Sequence, residues 1–283
     1  MRSLETYHVD VYATRSFGGN PAAVVLLDDS WLPDAVMQGI ARENNLPETS
    51  FMLPSRDGYE IRWFSPKAEV DFCGHATVAA AFVAVEILGK WSPPQGPETS
   101  GVVRFHSPRG GPIPVAVTEA GTGAESTTYT LTLPADPVER CEIPVGAARA
   151  VGSIPVAAYR GSSTMLFLLS DYPRLRSMAP DFRVISKFPA AGLIVTAGPD
   201  TGEAPDFGCR YFAPQSGVAE DPVTAAVHAT LAPFWAHRLK KPELSSAQLS
   251  PRGGLLHCSV DGEQVRVTGT ARLYLQGRLF VDE

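Results

Sequence analysis

Two segments of the chain share a wording: RWFSPKAEVDFCGHATVAAAFV at 62–83 and RYFAPQSGVAEDPVTAAVHATLAPF at 210–234. In each, Arg, an aromatic residue, Phe, a small residue and Pro are followed by a loop carrying an acid, then by an apolar run that reads as a helix. The first loop meets its helix through Cys73, Gly74, His75 and Ala76, and the second through Asp221, Thr224, Ala225 and Ala226. Thiols, imidazoles and carboxylates are the groups that act as nucleophiles and move protons. A helix start adds unpaired N–H groups and partial positive charge. Two such starts facing each other across a pseudo-twofold axis would form a cleft able to hold a carboxylate. Small residues at those starts let a ligand approach the backbone.

Each of these residues also has a plain structural reading. Cys73 at a buried helix start serves equally as a small core residue. His75 can be a satisfied capping histidine, Asp221 an acid favoured by the helix dipole, and Glu48 a surface carboxylate in a connection. The repeated Arg-aromatic-Phe-small-Pro can be a structural corner.

The elements that must position them follow from pattern. YHVDVYA and AAVVLL read as strands joined by the turn GGNP, in which Asn20 follows two glycines. In WLPDAVMQGIARENN the apolar residues Leu32, Val36, Met37 and Ile40 have helical spacing, and Asn44 and Asn45 end the helix. TSFMLP and GYEIRWF read as the next strands, with Glu48 at the mouth of the helix-to-strand connection. ATVAAAFVAVEIL is apolar on every side, so it must be surrounded by protein. This predicts a curved sheet wrapped around a buried helix. The second half repeats the grammar with TTYTLTLP, PVAAYR, STMLFLLSD, AGLIVTA and FGCRYFAP as strands and TAAVHATLAPFWAHRL as the central helix, which Pro233 should kink. GLLHCSV, QVRVTGTARLYL and GRLFVD close the chain as strands.

The whole is an α+β chain of two pseudo-symmetric lobes, each a curved, mostly antiparallel sheet around a central helix. The expected division is 1–120 and 121–283, with the last strand near 274–283 returning to the first lobe and a linker around 119–126 (EAGTGAES). At 283 residues the chain suits two domains of roughly 100 to 150 residues. A content of 44% apolar and 19% charged residues is that of an ordinary globular protein. The net charge of −6, without a basic run, argues against nucleic acid as a partner. No stretch nears the roughly 18 apolar residues of a membrane span, and the start lacks the apolar region of a signal peptide. Four scattered cysteines favour reduced thiols in the cytoplasm. The six histidines have no ligand spacing, and neither GxGxxG nor a P-loop is present, so no metal and no cofactor are expected.

GNPAAV (19–24), ARENNLPETSF (41–51), RWFSPKAEVDFCGHAT (62–77), RYFAPQSGVAEDPVT (210–224) and SPRGG (250–254) resemble the PhzF family of phenazine-biosynthesis-like isomerases, which have the diaminopimelate epimerase-like fold. The likeness runs along the whole chain in motif order. It implies two lobes with an active cleft between them, a homodimer, and a proton moved within a small unsaturated carboxylate by one glutamate. The family motif around that glutamate matches Asn45-Leu46-Pro47-Glu48-Thr49, making Glu48 the acid/base, with a pKa raised by burial. His75, neutral at a helix start, and Asp221 become its catalytic partners. Asn20, Cys73, Gly74, Ala76, Thr224, Ala225 and Ala226 would line the substrate. Epimerases of this fold use two opposed cysteines; here Cys73 is matched by Thr224, which argues against two-thiol racemisation. A dehydratase or epimerase of the same fold remains an alternative, as does a catalytically silent binding protein. The chain departs from the family at Ala225-Ala226, where Gly-Ser is usual, and at Pro47.

Overall fold

The computed structural model describes residues 1–91, 101–119, 126–198 and 205–282. Strand β1 (Arg2–Val11) turns through GGNP into β2 (Asn20–Leu26), antiparallel from Glu5↔Leu26 to Val11↔Asn20. Gly19 is needed in that turn, because its φ is +65° and a Cβ would stand 2.2 Å from the Val11 carbonyl oxygen. Helix α1 (Asp34–Asn44) crosses to β3 (Glu48–Ser55), which runs parallel to β2. Its apolar stripe, Met37, Ile40 and Ala41, packs on Leu4, Val25, Phe51 and Phe64. Asn45 ends it in a left-handed cap, φ 48°, with its N–H donating to the Ala41 carbonyl.

Next come β4 (Gly58–Phe64), the two-residue β5 (Glu69–Val70) and α2 (Gly74–Phe82), which runs on into a π-helical turn at Val83–Ile87. Strands β6 (Gly101–Ser107), β7 (Gly111–Thr118) and β8 (Thr128–Pro134) follow. The C-terminal strand Ala271–Val281 lies antiparallel to β1. As its all-apolar sequence requires, α2 is buried from His75 to Ala81, against β1, β2, β3, β7 and the C-terminal strand.

Packing divides the chain into two units, Met1–Thr132 with Thr268–Glu283, and Leu133–Val267. Residues 120–125 of the expected linker lie outside the described residues.

The second unit holds β9 (Glu139–Cys141), α3 (Ala147–Val151), β10 (Ala157–Arg160), β11 (Thr164–Leu168), α4 (Tyr172–Ser177), α5 (Phe182–Ile185) and β12 (Gly192–Ala197). It continues with β13 (Phe207–Ala213), β14 (Val218–Asp221), α6 (Ala225–Leu239), β15 (Glu243–Gln248), β16 (Gly254–Asp261) and β17 (Gln264–Gly269). The repeat seen in the sequence is one of topology. β2–β3 and β4–β6 are parallel in the first unit, and β11–β12 and β13–β15 are parallel in the second. Antiparallel pairs predominate around them.

Three features depart from the sequence-based reading. ELSSAQ, to which the sequence-based reading assigns no element, is strand β15, because its buried Ser246 and Gln248 find partners on α6 and the loop before it. The short helices α3, α4 and α5 carry too few residues for a periodic signal. The final strand is continuous from Ala271 through Gln276 and Gly277 rather than broken there. Pro233 does stand inside α6. The Ala229 carbonyl that its missing N–H would have engaged accepts instead from the Asp136 N–H at 3.0 Å.

The repeated arginine has the same task twice. Arg62 on β4 grips Glu69 on β5 through Nε–Oε1 (2.7 Å) and Nη2–Oε2 (2.9 Å), 5.2 Å from the Phe64 ring. Arg210 on β13 grips Glu220 on β14 at 2.7 and 2.8 Å, 5.3 Å from the Phe212 ring. The third nitrogen of Arg210 donates to the Met178 carbonyl at 2.6 Å.

Because Arg210 and Glu220 are 8% and 12% exposed, Arg210→Ala strands a carboxylate in the interior. The expected cost is about 3–5 kcal/mol by denaturant unfolding, whereas a paired Arg210→Met, Glu220→Leu replacement should recover most of it. Buried His228 gives a pH signature: burial lowers its pKa from 6.5 to about 4, against a raising hydrogen bond to the Thr224 carbonyl. The unfolded chain therefore binds this proton first. Its contribution to stability is intact above pH 6.5 and lost as pH falls toward 4, on the order of 3 kcal/mol. His228→Asn should flatten the fall in unfolding free energy measured between those values.

Candidate functional site

Glu48 opens β3, directly after the capped end of α1, and its register places it opposite Ala22 on β2. Asn20 opens β2 at the same end of that parallel pair. Both strands thus deliver a polar residue at the point where α2 begins. Cys73 is the N-cap of α2, with extended backbone (φ −141°, ψ 108°), and Gly74, His75 and Ala76 form its first turn. Two hydroxyls hold that turn: Thr77 Oγ1 donates to the Cys73 carbonyl at 2.7 Å, and buried Ser50 Oγ stands 3.2 Å from the Ala23 carbonyl and 3.4 Å from that of Ala76.

Around His75 the donors converge. Its Nε2 stands 3.3 Å from Glu48 Oε2, outside hydrogen-bond alignment, so the two groups approach without closing a bond. Its Nδ1 lies 3.3 Å from Asn20 Nδ2 and 3.4 Å from Cys73 Sγ. With the Asn20 amide nitrogen turned to Nδ1, that atom accepts and the ring proton is assigned to Nε2, the nitrogen nearer the carboxylate. Burial pushes the His75 pKa down to about 3, against a smaller raising effect from the Pro21 backbone. The ring is therefore neutral at pH 7, and its approach to Glu48 is not an ion pair.

The side chain of Glu48 is 19% exposed, Cys73 is 9% exposed, and Gly74 is half-buried. Ala76 and Asn20 are fully buried. One ring nitrogen of His75, the Cys73 sulfur and a Glu48 oxygen all lie within 4.8 Å of one another. The histidines alone have no ligand spacing in the sequence; it is the fold that gathers one of them with a thiol and a carboxylate.

The start of α6 is built on the same plan with other side chains. Asp221 ends β14, and its Oδ2 accepts a short hydrogen bond from the hydroxyl of Thr224, the N-cap. Gln248 holds both residues: its Oε1 accepts from the Thr224 N–H at 2.9 Å, and its Nε2 donates to the Asp221 carbonyl at 2.8 Å. Ser250, from the SPRGG segment, donates to the Pro222 carbonyl at 2.8 Å. His228 Nδ1–H donates to the Thr224 carbonyl and its Nε2 accepts from Ser246, both at 2.8 Å. Ala225 is buried and Ala226 exposed.

Gln248 and Ser50 carry no local signal in the sequence. Each is a polar residue in a strand whose importance shows only when its partners, distant along the chain, are in place. Among the described residues no helix is long and apolar enough to cross a membrane.

Comparison with known proteins places this architecture. Residues 9–277 match the model of the PhzC-PhzF family, described as phenazine biosynthesis-like protein. A Pseudomonas aeruginosa protein named an uncharacterized isomerase is 41% identical over 277 residues, covering 98% of each chain. The crystal structure of a PhzF-family phenazine biosynthesis protein from Enterococcus faecalis superposes with a TM-score of 0.87 at 39% identity, over 99% of this chain and 100% of that one. A hydroxyproline epimerase from Agrobacterium vitis shares the fold at a TM-score of 0.59 and 12% identity, over 100% of this chain and 94% of its own. The chain belongs to the phenazine biosynthesis-like, PhzC-PhzF, family.

Proposed function

We propose that the protein is a cofactor-independent isomerase that moves a proton between two carbons of a small unsaturated carboxylate, with Glu48 as the acid/base group. The observation that carries this reading is the approach of Glu48 to a buried, neutral His75 on the first turn of α2, at 3.3 Å. A protonated imidazole there would neutralise the carboxylate and hold it. A neutral ring leaves Glu48 able to take a proton from carbon and return it to another. General acid/base transfer of this kind contributes about 10² to 10⁴ in rate.

His75, with its proton on Nε2, donates to the enol or oxyanion that develops as the proton leaves carbon. The Gly74 N–H, half-buried at the helix start, offers the substrate carboxylate a donor. In the second unit the Gln248 clamp fixes Asp221, whose carboxylate is a candidate for orienting an amine or hydroxyl of a ligand. The name of the Pseudomonas relative supports the isomerase class. Racemisation by two opposed thiols has little support, since the α6 start carries Thr224, whose hydroxyl is engaged with Asp221.

The test is solvent-deuterium incorporation. Wild type and Glu48→Gln are incubated in D₂O with small unsaturated amino and hydroxy acids and with a cell extract, and masses are compared. A gain of one mass unit in a metabolite with wild type, reduced at least about 10²-fold in the variant, is the expected result. Equal incorporation by both removes Glu48 from the mechanism. No incorporation by either folded protein overturns the isomerase reading in favour of a binding protein.

A further inference from the structure

Three donors of different chemistry converge at the head of α2: the thiol of Cys73, the imidazole of His75 and the carboxylate of Glu48. They come from the helix N-cap, its first turn and the first residue of a neighbouring strand, all within the first unit. Oε2 and Nε2 are 3.3 Å apart, while the sulfur lies 3.4 Å from the other ring nitrogen, Nδ1, so an ion held through Nε2 draws the sulfur across toward it. Tetrahedral zinc, with bonds of about 2.0 Å to nitrogen and oxygen and 2.3 Å to sulfur, sets its ligands roughly 3.3–3.8 Å from one another. Donors already within 4.8 Å need a movement of about 1 Å to reach that geometry.

We propose that Glu48, Cys73 and His75 form a binding site for one thiophilic divalent cation, Zn²⁺ foremost, and that its occupancy switches off the proton-transfer pair. The binding half stands on geometry and donor chemistry alone; the inhibitory half rests on the acid/base reading of Glu48.

Charge balance favours the ion. On binding, the Cys73 thiol releases its proton to solvent. Thiolate, carboxylate and neutral imidazole then carry two negative charges against the two positive charges of the metal, which suits a largely buried site. Ligation through Nε2 leaves Nδ1 to Asn20, which by turning its amide oxygen to the ring supplies the outer hydrogen bond that ligating imidazoles have. A sulfur and a nitrogen among three ligands select zinc, cobalt or copper over magnesium and calcium, which prefer all-oxygen shells. Three protein ligands leave a fourth position for water.

Cobalt serves as the visible probe. Wild-type protein, reduced with a phosphine and free of chelator, is titrated with Co²⁺. The expected result is a thiolate-to-cobalt charge-transfer absorption that saturates at one ion per chain and is displaced by Zn²⁺ but not by Mg²⁺. Cys73→Ser should abolish the absorption, and Glu48→Gln should weaken Co²⁺ binding at least tenfold while keeping the band, with both variants checked for folding by circular dichroism. No saturable band overturns the site. A band that survives in Cys73→Ser overturns it too, by placing the metal on Cys141, Cys209 or Cys258. The second arm measures deuterium incorporation by wild type with and without Zn²⁺, and its recovery with EDTA. Loss and recovery support the switch. A saturated Co²⁺ band with undiminished exchange under Zn²⁺ overturns the inhibitory half while the binding site stands.

Discussion

The arginine–glutamate fork is the constraint on which both helix starts depend. In each unit a strand (β4 or β13) leaves the sheet, the chain turns through a proline-containing loop, and a short return strand (β5 or β14) must lead into the N-cap of a buried helix. Pairing alone defines these returns poorly: β4–β5 has two paired positions, and β13–β14 shifts register between Tyr211 and Ala213. Two parallel N–H···O bonds, held in a plane near an aromatic ring, supply the register that so short a ladder lacks. Both charges are largely withdrawn from water, so the fork adds less to net stability than to the uniqueness of one loop path. The Arg-aromatic-Phe-small-Pro wording is thus a structural corner, and it is also what delivers Cys73 and Thr224 to their places.

The scaffold was legible in the sequence because its signals are strong and local. A helix without a polar face, as in ATVAAAFVAVEIL, can be satisfied only by being surrounded, and the strands around it alternate in the usual way. The carboxylate each arginine would grip was not legible, since Glu69 lies 7 residues on and Glu220 lies 10. Strand β15 was hidden for a related reason. Its Ser246 and Gln248 look like loop residues until His228 and the Asp221–Thr224 loop give their polar groups partners. The approach of Glu48 to His75 follows from the parallel register of β2 and β3 together with the entry of α2, and no spacing rule in the sequence encodes it. Glu48 was singled out by family resemblance; its own surroundings in the chain read as an ordinary connection.

The two helix starts show how one backbone solution carries different chemistry. In each, the fourth residue past the N-cap returns a hydrogen bond to the N-cap carbonyl: Thr77 through its hydroxyl to Cys73, and His228 through its ring to Thr224. The backbone requirement is the same, and a hydroxyl or an imidazole meets it. His228 is spent on that bond and on Ser246, deep in its unit, and has a structural role. His75 lies on the first turn rather than the second and faces a carboxylate instead. A difference of two residues along the helix, about half a turn, thus separates a histidine that holds the fold from the one proposed to take part in chemistry.

A base that must take a proton from carbon has to stay charged and lightly solvated, yet close to a donor that can stabilise the product of its action. Burying a histidine beside a half-buried glutamate suits the proposed role, because desolvation keeps the ring neutral. The Asn20 amide nitrogen at Nδ1 assigns the remaining ring proton to Nε2, the nitrogen nearer the carboxylate. The same arrangement brings a thiol, a carboxylate and an imidazole together at one helix start. The proposed proton transfer and the proposed sensitivity to thiophilic metals thus draw on the same cluster of side chains, with Cys73 as the donor that only the metal would use.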